Sequence, residues 1–299
     1  MKSPNHNAYV ITASGTARSG KGTSVSHLKG KLEKAGQRVI SIDQGIKFRA
    51  MAKAAAKAEV LDSPASLGDF LSSAKGRDTT LKVLAEVATM DKQSTTECLY
   101  TPEMSRASGK VGKVASAHEV AVGLLRSQVA GAIEAGTQGI LIDGRSVDKY
   151  AREFAKKGLA KYAMGWHFSC DPAVAARRSL GIFEDIATLS AEDKERLLAE
   201  AFNISDRNRS DTTRAVDPLR EPADAYHLNL LTYGSPDSDI PYKIGSDIVR
   251  QGGQVAVDTS YTSSVAEMTG PVTEVTQFSL VSLGLLDREH VGIEVATAY

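Results

Sequence analysis

The chain has 299 residues, and its hydrophobic content of 42% is enough to form one large domain or a core with appended lobes. Its 36 basic and 36 acidic residues give a net charge of zero, which argues against binding to nucleic acid or to an anionic membrane through an overall field. The two cysteines, Cys98 and Cys170, form neither a C-x-x-C pair nor a disulfide framework, and no segment has the apolar length of a membrane span. We therefore expect a cytoplasmic protein whose anion sites are local.

Strand-like apolar runs alternate with helical patterns along the chain. Strands are predicted at residues 8–14, 37–43, 139–143, 161–169 and 255–260. Helices are predicted at 23–34 and 118–135, and another begins at Pro172. Because strands joined by helices require crossovers, this order predicts an α/β fold in which a parallel sheet carries helices on both faces.

Three further segments interrupt the simple alternation. A largely helical stretch from Phe48 to about residue 116 is longer than a crossover requires, which is typical of a subdomain or of a cover over a site. A second helical stretch runs from Ala173 to about residue 208. Residues 235–254 have the composition of a loop.

The motif GTARSGKGT lies between the first predicted strand and the helix that follows it. Its glycines let successive backbone N–H groups turn inward, and the start of the helix adds its positive end, so the β-phosphate of a nucleotide would be held by dipoles. The ammonium group of Lys21 would bridge the β- and γ-phosphates and follow the γ-group during transfer. A chance glycine turn with a surface lysine is the alternative, but the flanking strand and helix favour a phosphate-binding loop. The residues expected to bind the nucleotide are Gly15, Arg18, Ser19, Gly20, Lys21, Gly22 and Thr23.

Two aspartates, Asp43 and Asp143, end predicted strands. The carboxyl ends of the strands of an open parallel sheet line the crevice where ligands bind, so either carboxylate could position Mg²⁺ through water. Each could instead cap the helix that follows its strand. The hydroxyl of Thr23 is a further candidate, and the metal ligands we expect are Thr23 and Asp143.

Arginines also follow predicted strands or precede loops. They are Arg49, Arg145, and the three of the run DRNRSDTTR, namely Arg207, Arg209 and Arg214. Planar guanidinium groups match phosphate oxygens, so arginines at loop starts beside strand ends would hold the phosphate of an acceptor in line for attack. Each of them taken singly could be an ordinary surface residue.

Six motifs resemble, in order, the successive motifs of the cytidylate kinases. They are GTARSGKGT, DQGIKFRA (43–50), KVASAHEVAVGLLRSQ (113–128), LIDGR (141–145), AARR (175–178) and DRNRSDTTRAVDPLREPADA (206–225). The resemblance covers roughly residues 8–228, and 255–268 look like the family's closing strand and helix. It implies a P-loop kinase domain at 1–269, with an acceptor-binding insert at about 61–116 and a lid at about 177–205. Residues 229–254 look like an insertion, and residues 270–299 are an extension of unknown role.

The resemblance implies ATP- and Mg²⁺-dependent phosphoryl transfer to a nucleoside monophosphate, with no obligate protein partner. The implied catalytic residues are Lys21, Asp143, Arg145, Arg177 and Arg178, of which the last two would reach from the lid to the phosphates of ATP. The residues implied on the acceptor side are Asp43, Arg49, Arg145, Arg207, Asp211 and Arg214. Among these, Arg49, Arg145 and Arg214 would hold the acceptor phosphate, whereas Arg207 and Asp211 would contact its sugar.

The chain departs from the family pattern on the acceptor side. Gln44 and Phe48 stand where the family has a hydroxyl residue and a tyrosine. An ungapped alignment also places Ala121, Gly112 and Ser146 at the three positions that read cytosine, although a shift of two residues would offer Ser108 instead of Gly112. The acceptor could therefore be CMP or dCMP, another nucleotide or a different phosphorylated small molecule. A nucleotide-binding regulatory protein without transfer activity is the remaining alternative.

Overall fold

The computed structural model describes residues 8–233 and 241–291. The strands are β1 (Tyr9–Gly15), β2 (Val39–Asp43), β3 (Gly139–Asp143), β4 (Lys161–Ser169), β5 (Tyr226–Leu228) and β6 (Gln254–Asp258). The helices are α1 (Lys21–Lys34), α2 (Gln44–Lys57), α3 (Pro64–Ser72), α4 (Ala74–Ala88), α5 (Lys92–Leu99), α6 (Pro102–Val111), α7 (Ala115–Glu134), α8 (Asp148–Lys156), α9 (Pro172–Leu180), α10 (Ala191–Thr213), α11 (Pro241–Arg250) and α12 (Val265–Ser282). Short 3₁₀ turns lie at Ile186–Thr188 and Arg288–Val291.

The six strands form one parallel sheet in the order β2-β3-β1-β4-β6-β5. All seven residues of the central strand β1 are buried, as expected for a parallel strand covered on both sides. The sheet is flanked by helices, which confirms the predicted α/β class. Strands β3 and β4 have the predicted bounds.

The chain divides into two compact units. Unit 1 comprises residues 1–42, 130–209 and 219–299. Its core is built from the apolar residues of the sheet, such as Trp166 and Phe168, and from residues of α1 and α12 that pack on them. Unit 1 therefore contains both the sheet and the loop that follows β1.

Unit 2 comprises residues 43–129 and 210–218 and is helical in its described structure. Helix α2 contacts both α4 and α6. Four alanines of α2 are fully buried, and these small side chains let neighbouring helices approach closely: they are Ala50, Ala52, Ala54 and Ala55. The helical stretch predicted from Phe48 is thus a set of five helices, α2 to α6.

The prediction of a loop at 235–254 is wrong for Pro241–Arg250, which form α11. Residues 235–240 lie outside the described residues. The helical stretch predicted from Ala173 is two helices, since α9 ends at Gly181 in a left-handed conformation and α10 begins ten residues later at Ala191. The short strand β5 was not predicted.

The extension beyond residue 269 begins inside α12, which contacts α1 and α11. The last part of this extension, 292–299, lies outside the described residues. In the part of the chain that the structure describes, no helix combines the length and the apolar character needed to cross a membrane.

Candidate functional site

The loop between β1 and α1 is tied to the neighbouring strand β4. Gly15 has a φ of 131°, and a Cβ at this position would lie 1.9 Å from the carbonyl oxygen of Phe168. The backbone N–H of Thr16 donates to the same oxygen at 2.9 Å. Only glycine fits at position 15, because a side chain would push the loop off the sheet.

Helix α1 begins without a capping side chain. Its N-cap is Gly20, whose φ of 86° is left-handed, and its first turn contains no acidic residue. The first N–H groups of a helix lack partners within the helix and carry the positive end of its dipole. The start of α1 therefore suits an anion.

Two cationic side chains meet on one carbonyl oxygen of this loop. The Nζ of Lys21 donates to the carbonyl oxygens of Thr16 at 2.6 Å and of Gly15 at 3.2 Å. The Nη1 of Arg145 donates to the same oxygen of Gly15 at 3.1 Å. Both cations therefore lie beside the loop, where a phosphate group could contact them.

The two expected metal ligands lie near the first turn of α1. A Cβ on Gly22 would lie 3.4 Å from the Oδ2 of Asp143, so this carboxylate is close to the turn that also carries the exposed Thr23. Carboxylate and hydroxyl oxygens suit Mg²⁺, which usually keeps several waters and is completed by phosphates. Among the described residues, no group of three or more His, Cys, Asp or Glu side chains could hold a metal ion alone. The donor set thus fits a nucleotide-bound magnesium ion, and the assignment stays a prediction.

Two residues that the sequence analysis missed hold the loop in place. The Oδ1 of Asn208 accepts from the backbone N–H of Ala17 at 2.7 Å. The Oγ1 of Thr259 donates to the carbonyl oxygen of Ser19 at 3.1 Å. Asn208 lies within the motif DRNRSDTTR, but nothing in the sequence relates it to a loop 191 residues away.

Arg177 and Arg178 hold backbone segments in this structure. Arg177 donates to the carbonyl oxygens of residues 182–184, which follow α9. Arg178 donates to the carbonyl oxygens of Thr259 and Thr262, which follow β6. Because Thr259 also bonds to Ser19, Arg178 stabilises a segment that supports the loop. The expected role of both arginines on the phosphates of ATP stays a prediction.

Several arginines do not lie at loop starts, contrary to the prediction. Arg207 and Arg209 lie within α10, which continues to Thr213, and Arg49 lies in α2, which begins directly after β2. Arg145 follows β3 as predicted, and Arg214 comes directly after α10. The prediction failed because it ended one helix too early, at about residue 208, and began the other at Phe48 and not at Gln44.

In unit 2, Asp43 caps α2, which is the alternative that the sequence left open. Its Oδ1 accepts from the N–H of Gly45 at 2.6 Å, and its Oδ2 accepts from the hydroxyl of Tyr100 at 2.6 Å. The guanidinium carbon of Arg49 lies 4.1 Å from the centre of the Tyr100 ring. This cation–π contact orients Arg49, whose role on an acceptor stays a prediction.

Arg214 is the second arginine of unit 2 that is expected to bind the acceptor. Its Nε donates to the carbonyl oxygen of Asp217 at 2.6 Å, and its Nη1 lies 3.4 Å from the Oδ1 of Asp211. The side chain is only 9% exposed. Arg214 is therefore held in one orientation by neighbours from its own segment.

Lys47 was not singled out from the sequence. It lies in the first turn of α2 and is 2% exposed. Burial lowers the pKa of its ammonium group to about 8, and the nearby charge of Asp43 opposes this shift. Gln44, three positions earlier in α2, is also buried, and its Oε1 has no hydrogen-bond partner among the described residues.

His167 lies in the buried part of β4 and is 5% exposed. Burial lowers the pKa of its imidazole, the charge of Glu221 opposes this effect, and the charge of Lys21 adds to it. Its neighbour Trp166 is 2% exposed, and its Nε1 donates to Thr276. Both residues belong to the core.

Two of the positions expected to bind the cytosine base, Ala121 and Gly112, lie in unit 2 and have no side chain that could do so. Ala121 is 1% exposed and packs in a hydrophobic cluster with Met51 and Leu67. Gly112 follows α6 as its C-cap, and the Oγ of Ser108 donates to the carbonyl oxygen of Ser105. Neither Ala121 nor Gly112 has a polar side chain with which to bind a base.

A comparison with models of known protein families gives no match, and a comparison with curated protein sequences gives no significant match. The functional conclusion for this chain therefore rests on its motifs and on the geometry of its loop.

Proposed function

We propose that the protein is a P-loop kinase, similar to the cytidylate kinases, that transfers a phosphoryl group from ATP to a nucleoside monophosphate. One observation carries the proposal: Lys21 and Arg145 converge on the carbonyl oxygen of Gly15 beside the uncapped start of α1. This combination of a strand, a glycine loop, a helix N-terminus and two cations suits a triphosphate.

The residues of the loop bind and orient the nucleotide. Hydrogen bonds from a cation to a phosphate are stronger than those to a neutral carbonyl, so Lys21 exchanges its bonds to Gly15 and Thr16 for bonds to phosphate oxygens. Asp143 and Thr23 would hold Mg²⁺, which supplies neutralisation of the phosphate charge when it is bound. Catalysis then requires positioning and electrostatic stabilisation and no covalent step on the protein.

The acceptor is proposed to bind through the arginines of unit 2. Arg49 is held by the Tyr100 ring and Arg214 by the Asp217 carbonyl, so each guanidinium group is oriented before a ligand arrives. Preorganised guanidinium groups bind phosphate oxygens with little further loss of side-chain freedom. Closure of the lid at about 177–205 is proposed to exclude water, so that ATP is not hydrolysed.

CMP is expected to be a poor acceptor. Ala121 is part of the unit 2 core, Gly112 has no side chain, and the Ser108 hydroxyl is bonded to Ser105. A polar base edge that loses its partners costs about 1–3 kcal/mol for each buried group, and sites built on such bonds discriminate strongly. The enzyme is therefore proposed to prefer another monophosphate.

A transfer assay tests both parts of the proposal. Purified protein with ATP and Mg²⁺ is offered CMP, dCMP, AMP, GMP, UMP and dTMP, beside the variant Lys21→Ala. We expect one acceptor other than CMP or dCMP to reach a kcat/KM of about 10⁴ M⁻¹s⁻¹, and the variant to retain less than about a tenth of the rate.

Three results would contradict the proposal in different ways. A clear preference for CMP or dCMP would disprove the altered acceptor. Retention of more than about a tenth of the wild-type rate by Lys21→Ala would contradict the role of the loop. Binding of ATP without transfer to any monophosphate would favour a kinase for a different phosphorylated molecule or a regulatory protein.

A further inference from the structure

We propose that His118 is a positioning residue for Arg214 and that it acts through Asp217. This inference rests on the proposed function, in which Arg214 binds the acceptor phosphate. His118 belongs to the motif KVASAHEVAVGLLRSQ and takes no direct part in the proposed binding of ATP or of the acceptor.

His118 connects three segments of unit 2. It lies in the first turns of α7, where its Nε2 is 2.9 Å from the carbonyl oxygen of Gly112, the C-cap of α6. Its Nδ1 lies 3.4 Å from the Oδ2 of Asp217, in the segment that follows α10. Both side chains of the pair are nearly buried, with 9% of His118 and 7% of Asp217 exposed. The contact is thus shielded from water, which strengthens it.

Asp217 has a strained backbone. Its φ of 52° is left-handed, a conformation that residues other than glycine adopt much less readily. Such strain persists only where surrounding contacts determine the conformation, and it concentrates at functional sites. The contact with His118 is one such determinant. This contact holds the side chain of Asp217 beside His118 while the backbone of Asp217 makes its left-handed turn.

The turn at Asp217 places a carbonyl oxygen on Arg214. The Nε of Arg214 donates to this oxygen at 2.6 Å, and a Cβ on Gly112 would lie 3.7 Å from its Nη1. The same Gly112 that bonds to His118 therefore also borders the guanidinium group. His118 fixes both the carbonyl that orients Arg214 and the backbone beside it.

A purely packing role is the main rival explanation. The ring of His118 meets the ring of Phe48 edge-on, with 5.1 Å between their centres. If packing were its only contribution, loss of the imidazole ring would lower stability and leave the orientation of Arg214 intact. The two explanations therefore differ in what happens at the Arg214 Nε.

The first experiment observes that atom directly and needs no activity. In the ¹⁵N-labelled full chain, the Nε–H signal of Arg214 is assigned as the one that Arg214→Lys removes. We expect His118→Ala to speed its exchange with water by about tenfold or more, because the bond to Asp217 loosens. Arg152, whose Nε donates to Asp148 at 2.8 Å in unit 1, is the internal reference and should be unchanged. Unchanged exchange at Arg214 would overturn the proposal.

Variants of Asp217 keep the proposal testable if His118→Ala does not fold. Asparagine tolerates the left-handed conformation and retains a side-chain oxygen, so Asp217→Asn should preserve slow exchange at Arg214. Glycine relieves the strain but removes the oxygen, so Asp217→Gly should speed the exchange. Equal exchange rates in the two variants would show that the side-chain contact does not position Arg214.

The second experiment uses the nucleoside monophosphate that the wild type phosphorylates best. We expect His118→Ala to raise the KM for this acceptor by about tenfold and to leave the KM for ATP within about twofold, because only the acceptor arginine is displaced. In a double-mutant cycle with Arg214→Met, the double variant should be no worse than Arg214→Met alone. Additive effects would overturn the proposal. If the wild type uses no monophosphate, the proposed function fails, while the exchange experiment still decides the role of His118.

Discussion

At the scale of single residues, Lys47 is a charge that the fold buries at a cost. The unfolded chain keeps the proton of Lys47 up to a pH near its ordinary pKa of 10.5, whereas the folded chain releases it at about 8. The unfolded state therefore binds more protons between these values, and stability contributed by this site rises with pH across the window. At pH 7 the ammonium group is charged in both states, so the folded state carries the whole free-energy cost of removing this charge from water.

Lys47→Met should therefore stabilise the protein at pH 7 by about 1–4 kcal/mol, because an apolar side chain of similar length fills the same space without a charge. The advantage should shrink as the pH approaches 10. Urea unfolding of both proteins at pH 7 and pH 10 measures it. A variant that is less stable than the wild type at pH 7 would show that the Lys47 ammonium group makes favourable contacts that outweigh its burial.

His167 should make the protein sensitive to acid. Burial lowers its pKa in the folded state below the ordinary value of 6.5, so the unfolded state binds more protons as the pH falls through that value. The contribution of His167 to stability is thus present above the unfolded pKa and declines toward acid pH. His167→Gln should gain stability relative to the wild type between pH 7.5 and pH 5, as measured by thermal unfolding. A constant difference between the two proteins over this range would rule out the neutral buried imidazole.

The spacing of residues within the motif was enough to predict which residues form the loop. It could not predict which distant residues hold that loop and the other candidate site residues in place. Gly15 and Lys21 lie six positions apart, so the motif alone brings them together. His118, Thr259 and Lys47 depend on neighbours that are distant in sequence or on burial by other helices. No pattern in a single sequence reports such tertiary contacts, which is why these residues were missed.

At the scale of elements, Gly245 explains why α11 was not predicted. Glycine is unfavourable inside a helix, and PYKIGSDIVR follows a polar segment rich in turn-forming residues. In the structure, a Cβ on Gly245 would lie 2.8 Å from the Cβ of Phe278 in α12. Close packing of α11 and α12 therefore requires a residue that helix propensity disfavours. In contrast, β3 and β4 were predicted with their observed bounds because both are largely apolar and buried.

Gly245→Ala should destabilise the protein by about 1–3 kcal/mol, because the added methyl group overpacks the contact with Phe278. The matched control is Gly30→Ala in α1, where an added Cβ meets nothing within 4 Å. That substitution should instead stabilise the protein by up to about 1 kcal/mol through helix propensity. Denaturant unfolding compares the two, and opposite signs are expected. Stabilisation by both changes would show that α11 and α12 separate easily.

At the scale of the whole molecule, the proposed nucleotide site belongs to unit 1. A non-hydrolysable ATP analogue with Mg²⁺ should slow hydrogen exchange at residues 15–24 and at 259–262, since Thr259 and Arg178 support the loop. A saturating analogue should also raise the stability by about 2.7 kcal/mol at one hundred times its Kd.

Lys21→Ala is the control for this measurement and should lose most of the protection at 15–24. Exchange that slows mainly in α2 to α6 would place the nucleotide on unit 2 and contradict the assignment.

Unit 2 is assembled from two stretches of chain, 43–129 and 210–218. During synthesis the first stretch leaves the ribosome before β3, β4 and most of α10, whereas the second stretch follows them. Chains are synthesised from the N-terminus at about 5–20 residues per second. The growing protein therefore spends several seconds with helices α2 to α6 already made and with the last nine residues of unit 2, 210–218, still missing. During that interval Arg214 and Asp217 have not been synthesised. Gly112 and His118 therefore cannot yet make their contacts with residues 210–218. Maturation of unit 2 therefore follows the synthesis of four of the six strands, β1 to β4, and a ribosome stalled before residue 210 would carry a unit 2 without its acceptor arginine.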